Sequence, residues 1–139
     1  VLDITTAEVT ISSAGHCPPL HFNSTTGKTQ FIDLSGYPLG IPAIVRPVES
    51  YQAIQLKLEP GDRLVFYSDG VVEAQNANRD FYDDDRFALQ LEHASSGRTP
   101  TNLTADLVAD VKSFIGNAPR TDDITLVVLQ RDLDKNPTE

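Results

Sequence analysis

Apolar and polar residues alternate along much of the first half of the chain. Val9-Thr10-Ile11-Ser12 changes face at every residue, the period of a half-buried strand. Val1 to Ile4 opens as a strand-like run, and Thr5-Thr6-Ala7-Glu8 turns the chain. Leu20-His21-Phe22 and Gln30-Phe31-Ile32-Asp33-Leu34 flank the turn-rich Asn23 to Lys28, which predicts a hairpin. Gly36 to Pro42 holds too much Gly and Pro for a regular element. Alternation resumes from Tyr51 to Leu58, and Pro60-Gly61-Asp62 makes a tight turn. Arg63 to Ser68, bulky and mostly apolar, predicts a central strand. The first half therefore predicts a meander of antiparallel strands.

The period changes after Asp69-Gly70. Asp83-Asp84-Asp85 supplies carboxylates that favour the positive end of a helix, with Phe87 and Leu91 four apart on its buried face. Ser95-Ser96-Gly97 breaks that helix. Thr101 or Asn102 is placed to cap a second one, whose Leu103, Leu107, Val108, Val111, Phe114 and Ile115 keep a 3.6-residue period up to Gly116. Ile124 to Leu129 predicts a closing strand, and the polar residues beyond Arg131 predict a disordered tail over 132–139. Strands, then helices, then a last strand give an α+β layered fold in one domain over 1–131.

Composition narrows the function classes. Among 139 residues, 11 are Lys or Arg and 20 are Asp or Glu, a net charge of −9. That balance argues against nucleic acid and anionic membrane surfaces as partners, since both require a positive face. No apolar run approaches the ~20 residues of a membrane span, and no positively charged leader precedes an apolar stretch. A single cysteine, Cys17, favours a reducing, cytoplasmic setting.

Two acidic positions stand out by placement. Asp69 follows the predicted strand Leu64 to Ser68, and Asp122-Asp123 precedes Ile124 to Leu129. If those strands are neighbours in one sheet, the carboxylates converge at one edge, where they repel unless protonated or bridged by a cation. Hard oxygen ligands of this kind suit Mg²⁺ or Mn²⁺. A plain Asp-Gly turn and a solvated approach to a strand satisfy the same spacing. A Cys17–His16 dyad is rejected, because sequence neighbours in extended chain do not face one another. Asp80 to Asp85 lacks the glycine at the sixth position and the glutamate at the twelfth that a calcium loop needs. His21 and His93 have no identifiable partner.

Four strings occur in order: Ser13-Ala14-Gly15-His16-Cys17-Pro18-Pro19-Leu20; Gly36-Tyr37-Pro38-Leu39-Gly40-Ile41; Leu58-Glu59-Pro60-Gly61-Asp62-Arg63-Leu64-Val65-Phe66-Tyr67-Ser68-Asp69-Gly70-Val71-Val72-Glu73-Ala74; and Thr121-Asp122-Asp123-Ile124-Thr125-Leu126-Val127-Val128-Leu129. Each alone is weak; the four in register resemble the C-terminal part of bacterial metal-dependent serine/threonine phosphatases of the stage-II-sporulation-E and RsbU kind, within the PPM (protein phosphatase 2C-like) class. The resemblance runs from about Val1 to Arg131. It implies an antiparallel β-sandwich flanked by helices, with two Mn²⁺ or Mg²⁺ ions at one end and a metal-activated water that attacks phosphoserine or phosphothreonine in line. It puts Asp69 and Asp122 on metal-ligand positions, with Gly70 and Asp123 as loop support; Asp123 stands where the class often has Asn. Glu73 and His16 fall on a third-metal site or active-site rim. If Val71 to Ala74 form a helical turn, the four-residue spacing sets Asp69 beside Glu73. Glu73 reads equally as a solvated helix residue, and His16 as a buried, hydrogen-bonded loop histidine.

Complete members carry an upstream Asp-x-x-Gly-His-Gly motif whose aspartate bridges both metals, and these 139 residues contain none. The resemblance thus implies the C-terminal portion of a phosphatase domain whose bridging aspartate lies upstream, with an incomplete site of its own. It also implies upstream sensor or receiver domains and, as substrate, a phosphorylated regulatory protein of the anti-sigma-factor-antagonist type. Sheet edges left open by the missing half favour a homodimer. A degenerate, inactive domain that serves as a partner-binding module is the competing reading.

Overall fold

Turn chemistry sets the first elements. β1 (Leu2–Asp3) and β2 (Glu8–Ser12) pair antiparallel around a loop in which Asp3 Oδ1 accepts from the Thr5 and Thr6 backbones at 2.8 and 3.2 Å. β3 (Leu20–Asn23) and β4 (Lys28–Phe31) form the expected hairpin, closed where Asn23 Oδ1 accepts from the Thr26 N–H. The computed structural model describes residues 1–34, 36–42 and 51–133. Ala53–Lys57 is β5, Arg63–Tyr67 is β6 and Leu126–Gln130 is β7. Three helices lie between the last two strands: α1 (Asp69–Val72), α2 (Asp84–Ala94) and α3 (Pro100–Ile115).

The strands make two sheets, not one meander. One has the order β1-β2-β5 and the other β4-β3-β6-β7, with every pairing antiparallel. β5 returns to β2, in a register that sets Val9 opposite Leu56 and Ile11 opposite Ile54. Its inward residues thereby meet those of the second sheet, and Leu64 packs with Val9, Ile11, Ile32, Leu34 and Leu58 between the layers. The other face of the second sheet carries Leu20, Phe22, Val65 and Tyr67, which pack on Phe87 and Leu91 of α2 and on Leu103, Leu107 and Val111 of α3. Covering on both faces explains why β6 reads as a continuous apolar run: Leu64 and Val65 point opposite ways and both are fully buried. Each such side chain contributes roughly 1.5–3 kcal/mol.

The helices are capped as their sequences allow, with one correction. Asp83 Oδ1 accepts from the Arg86 N–H at 2.9 Å and starts α2. α3 is capped by Thr99, whose Oγ1 accepts from the Asn102 N–H, and not by Thr101 or Asn102. Pro100 decides this: its fixed φ suits the first helical position, where no N–H is needed. Gly116 ends α3 at φ 57°. Arg63 is buried, and its guanidinium donates to Gln130 Oε1 and to the Ser95 and Arg98 carbonyls, tying the α2–α3 loop to the sheet.

Two local expectations shift. β7 begins at Leu126, two residues later than the apolar run, because Thr125 pairs with the side chain of Ser68. His21 does have a partner. It is buried on the inter-sheet side with Nε2 3.0 Å from Asp62 Oδ2, and Asp62 also accepts from the Ser24 and Glu59 backbones at 2.8 and 3.1 Å. An ionised carboxylate only accepts, so Nε2 carries the proton. Among the described residues no helix is long and apolar enough to cross a membrane. Of the tail, Asp132 and Leu133 are exposed, and 134–139 lie outside the described residues.

Candidate metal centre

β6 and β7 are adjacent and antiparallel, with Tyr67 opposite Leu126 at the end of their ladder. Asp69 therefore leaves β6 at the same end at which Asp122 and Asp123 approach β7. The chain does not continue straight. Ser68 holds extended geometry, φ −82° and ψ 157°, and α1 starts at Asp69 with the Glu73 N–H donating to the Asp69 carbonyl at 2.9 Å. The turn begins two residues earlier than the sequence suggested.

Gly70 and Ser68 bring the two acidic segments together. Gly70 is buried, and a Cβ on it would press into the Asp123 carbonyl oxygen and lie 3.3 Å from Asp122 Cβ. Only a residue without a side chain lets the backbones approach so closely. Ser68 Oγ donates to the Asp123 carbonyl at 2.9 Å and accepts from the Thr125 N–H at 3.0 Å, while the Ser68 N–H donates to the Thr125 carbonyl at 3.1 Å.

Both candidate ligands are exposed carboxylates with one oxygen in local use. Asp69 Oδ1 accepts from the Gly70 N–H at 2.9 Å, and Asp122 Oδ1 accepts from the Asp123 N–H at 2.7 Å. Asp123 turns its own carboxylate to Arg120 at 3.2 Å, while Arg120 Nε donates to the Asp122 carbonyl. Asp123 thus braces the loop through its carbonyl and through Arg120. Among the described residues, no three His, Cys, Asp or Glu side chains gather closely enough to hold an ion by themselves. Two hard carboxylates, each with an oxygen to spare, fit a Mg²⁺-like ion, which takes one or two carboxylates and keeps several waters.

Glu73 is exposed one turn beyond Asp69. His16 is exposed rather than buried, and its backbone N–H donates to Ser13 Oγ at 3.2 Å. The preceding Gly15 takes φ 81° with Pro38 packed against it. Cys17 is half-buried. Burial, then the charges of Asp69, Asp84 and Glu73, push its thiol above the ordinary value, which disfavours the thiolate that a nucleophile needs. Asp84 is the acidic neighbour that sequence reasoning missed, having read it only as a helix start. Its Oδ1 accepts from the buried Tyr67 hydroxyl at 3.0 Å, and burial with that charge holds the phenol well above its usual range. Neither Asp84 nor Cys17 carries a sequence signal for this proximity.

Comparisons with known proteins identify the family and the fold. The profile of the stage II sporulation protein E (SpoIIE) family matches residues 1–132. The phosphoserine phosphatase RsbU of Bacillus subtilis is 30% identical over 125 residues, covering 89% of this chain and 35% of RsbU. In the crystal structure of the RsbU and RsbW domains of a Mycobacterium tuberculosis protein, the match covers 99% of this chain and 37% of that one at a TM-score of 0.75 and 25% identity. The Mn-presoaked phosphatase domain of SpoIIE from Bacillus subtilis matches over all of this chain and 57% of its own at a TM-score of 0.69, with 18% identity. The chain spans between about a fifth and a third of the curated relatives it matches.

Proposed function

The chain belongs to the SpoIIE family of PPM-class phosphatase domains, and on that premise we propose that it supplies the Asp69–Asp122 part of the metal centre of a protein serine/threonine phosphatase. The observation that carries the reading is the close approach of Gly70 to the Asp122-Asp123 backbone, which sets two hard carboxylates at one end of one sheet. Mn²⁺ or Mg²⁺, when bound, supplies charge compensation for a phosphate dianion and an acidified water. A protein of net charge −9 would otherwise repel that substrate.

The residues of this chain have separable parts. Asp69 and Asp122 would hold the ions, Gly70 and Asp123 keep the two loops in contact, and Glu73 and His16 would serve a third, weaker ion or the rim of the site. The bridging aspartate comes from an upstream segment. The substrate is a phosphorylated regulatory protein of the anti-sigma-factor-antagonist type, whose phosphoserine the likeness to a phosphoserine phosphatase supports, and a sensor or receiver domain upstream controls the reaction.

The test is Mn²⁺-dependent release of phosphate from a phosphoserine peptide by the full-length protein. Asp69→Asn and Asp122→Asn each remove a charged ligand and are expected to lower the rate by orders of magnitude. Wild-type rates in both variants reject the site. Mn²⁺ binding without turnover in the full-length wild type rejects the enzyme and leaves a partner-binding module.

A further inference from the structure

We propose that Ser68 is a positioning residue, whose hydroxyl sets the separation of the Asp69 and Asp122 carboxylates before any cation arrives. This rests on the assignment of those two residues to one metal site. Past the Tyr67–Leu126 pair the β6–β7 ladder would continue with two main-chain bonds between Ser68 and Thr125. Only one forms, from the Ser68 N–H to the Thr125 carbonyl at 3.1 Å. The Ser68 carbonyl is diverted to accept from the Val71 N–H at 3.0 Å, which closes the first turn of α1 and turns Asp69 out of the sheet. The orphaned Thr125 N–H is taken by Ser68 Oγ at 3.0 Å, and the same hydroxyl donates to the Asp123 carbonyl at 2.9 Å.

One atom therefore does two jobs that no unsubstituted backbone could do there. It extends the ladder past the point where the main chain has left it, and it holds the Asp123 carbonyl against Gly70, where a Cβ has no room. Asp122 is the next residue back along that loop. The role demands one short side-chain atom that donates and accepts strongly at once, which the hydroxyl of Ser or Thr provides. Alanine does neither, and cysteine makes weak bonds of both kinds.

The experiment measures Mn²⁺ binding to the full-length protein by the electron paramagnetic resonance signal of the free ion, with amide hydrogen exchange of metal-free protein across residues 122–126. For Ser68→Ala the expected result is a 10–100-fold weaker Mn²⁺ affinity, the usual consequence of losing an outer-shell partner, and faster exchange in that segment. Ser68→Thr, which keeps a hydroxyl at the same place, is expected to restore both toward wild type. If the alanine variant does not fold, Ser68→Cys, which keeps the side chain's shape at slightly larger size but weakens both bonds, carries the same expectation. Wild-type affinity and exchange in Ser68→Ala, while Asp122→Asn weakens binding, would overturn the positioning role and leave the site reading standing. A folded Ser68→Thr that fails to rescue overturns it too. Unchanged Mn²⁺ binding in both Asp69→Asn and Asp122→Asn removes the site and this proposal together.

Discussion

Replacing Gly70 with alanine sets two effects against each other. Gly70 has no positive φ, and it lies in α1, so alanine fits the local backbone and gains up to ~1 kcal/mol of helix propensity. Against this, the new Cβ presses into the Asp123 carbonyl oxygen, with the carbonyl carbon at 3.0 Å and Asp122 Cβ at 3.3 Å. The obstacle is backbone, not the end of a flexible side chain. A relaxed carbon–oxygen contact sits at about 3.3–3.6 Å, so the loop must retreat by roughly 1 Å. Overpacking of this kind costs about 1–3 kcal/mol, and the retreat also strains the Ser68–Asp123 hydrogen bond, worth about 0.5–1.5 kcal/mol. The clash wins, and the net loss is about 1–3 kcal/mol. At the average unfolding entropy per residue that corresponds to a fall in Tm of about 3–10 °C. The catalytic effect is of similar size, since a displacement of roughly 1 Å costs on the order of 10²-fold in rate, about 2.7 kcal/mol. Differential scanning calorimetry and Mn²⁺-dependent phosphate release on the full-length protein read the two effects. Gly27→Ala is the control: it sits at φ 67° with nothing near its Cβ, so left-handed strain costs it about 1–2 kcal/mol while the rate holds. A Gly70→Ala protein with unchanged or raised Tm and wild-type rate would refute the argument that close backbone approach holds the site together.

The Asp62 carboxyl, pushed up by burial, is pulled further down by the Ser24 N–H, the His21 ring and the Glu59 N–H, and ends below its ordinary value. A carboxyl depressed in the folded state contributes stability above its unfolded pKa of about 3.9, lost as pH falls through the lower folded value. Asp62→Asn is therefore expected to flatten the urea midpoint's dependence on pH below about 4, and an unaltered slope would contradict the assignment. Asp62→Ala strands the buried His21 and two backbone donors and is expected to cost roughly 2–4 kcal/mol in urea unfolding. Thr99→Ala is expected to cost about 1 kcal/mol through loss of the α3 cap, with Thr101→Ala near neutral by the same measurement; equal effects would restore the cap to Thr101.

Element identity was largely legible along the chain, because burial repeats with the backbone's own period. The alternation at Val9 to Ser12 and the 3.6-residue spacing from Leu103 to Ile115 each became the predicted strand and helix. The unbroken apolar run of β6 announced a central strand. The Gly and Asp on either side of the site were visible as a motif, and the family likeness rests on such strings. Errors came where several residues met one local rule: Thr99, Thr101 and Asn102 all can cap, and only Pro100 distinguishes them.

What a single chain of symbols determined here is which segments fold and which side chains can bind a hard cation. Tertiary structure decided which segments meet. β5 alternates equally well beside β4 or β2, and the two-sheet core selects β2 because its inward residues then cover Leu64. His21 finds Asp62 across 41 positions of sequence, and Asp84 meets the Tyr67 hydroxyl with no pattern to mark it. Asp69 and Asp122 share an end of the sheet only because α2 and α3 return the chain antiparallel beside β6. Contacts of that kind depend on long-range packing, whose free energy is spread over the whole core and written in no local stretch of residues.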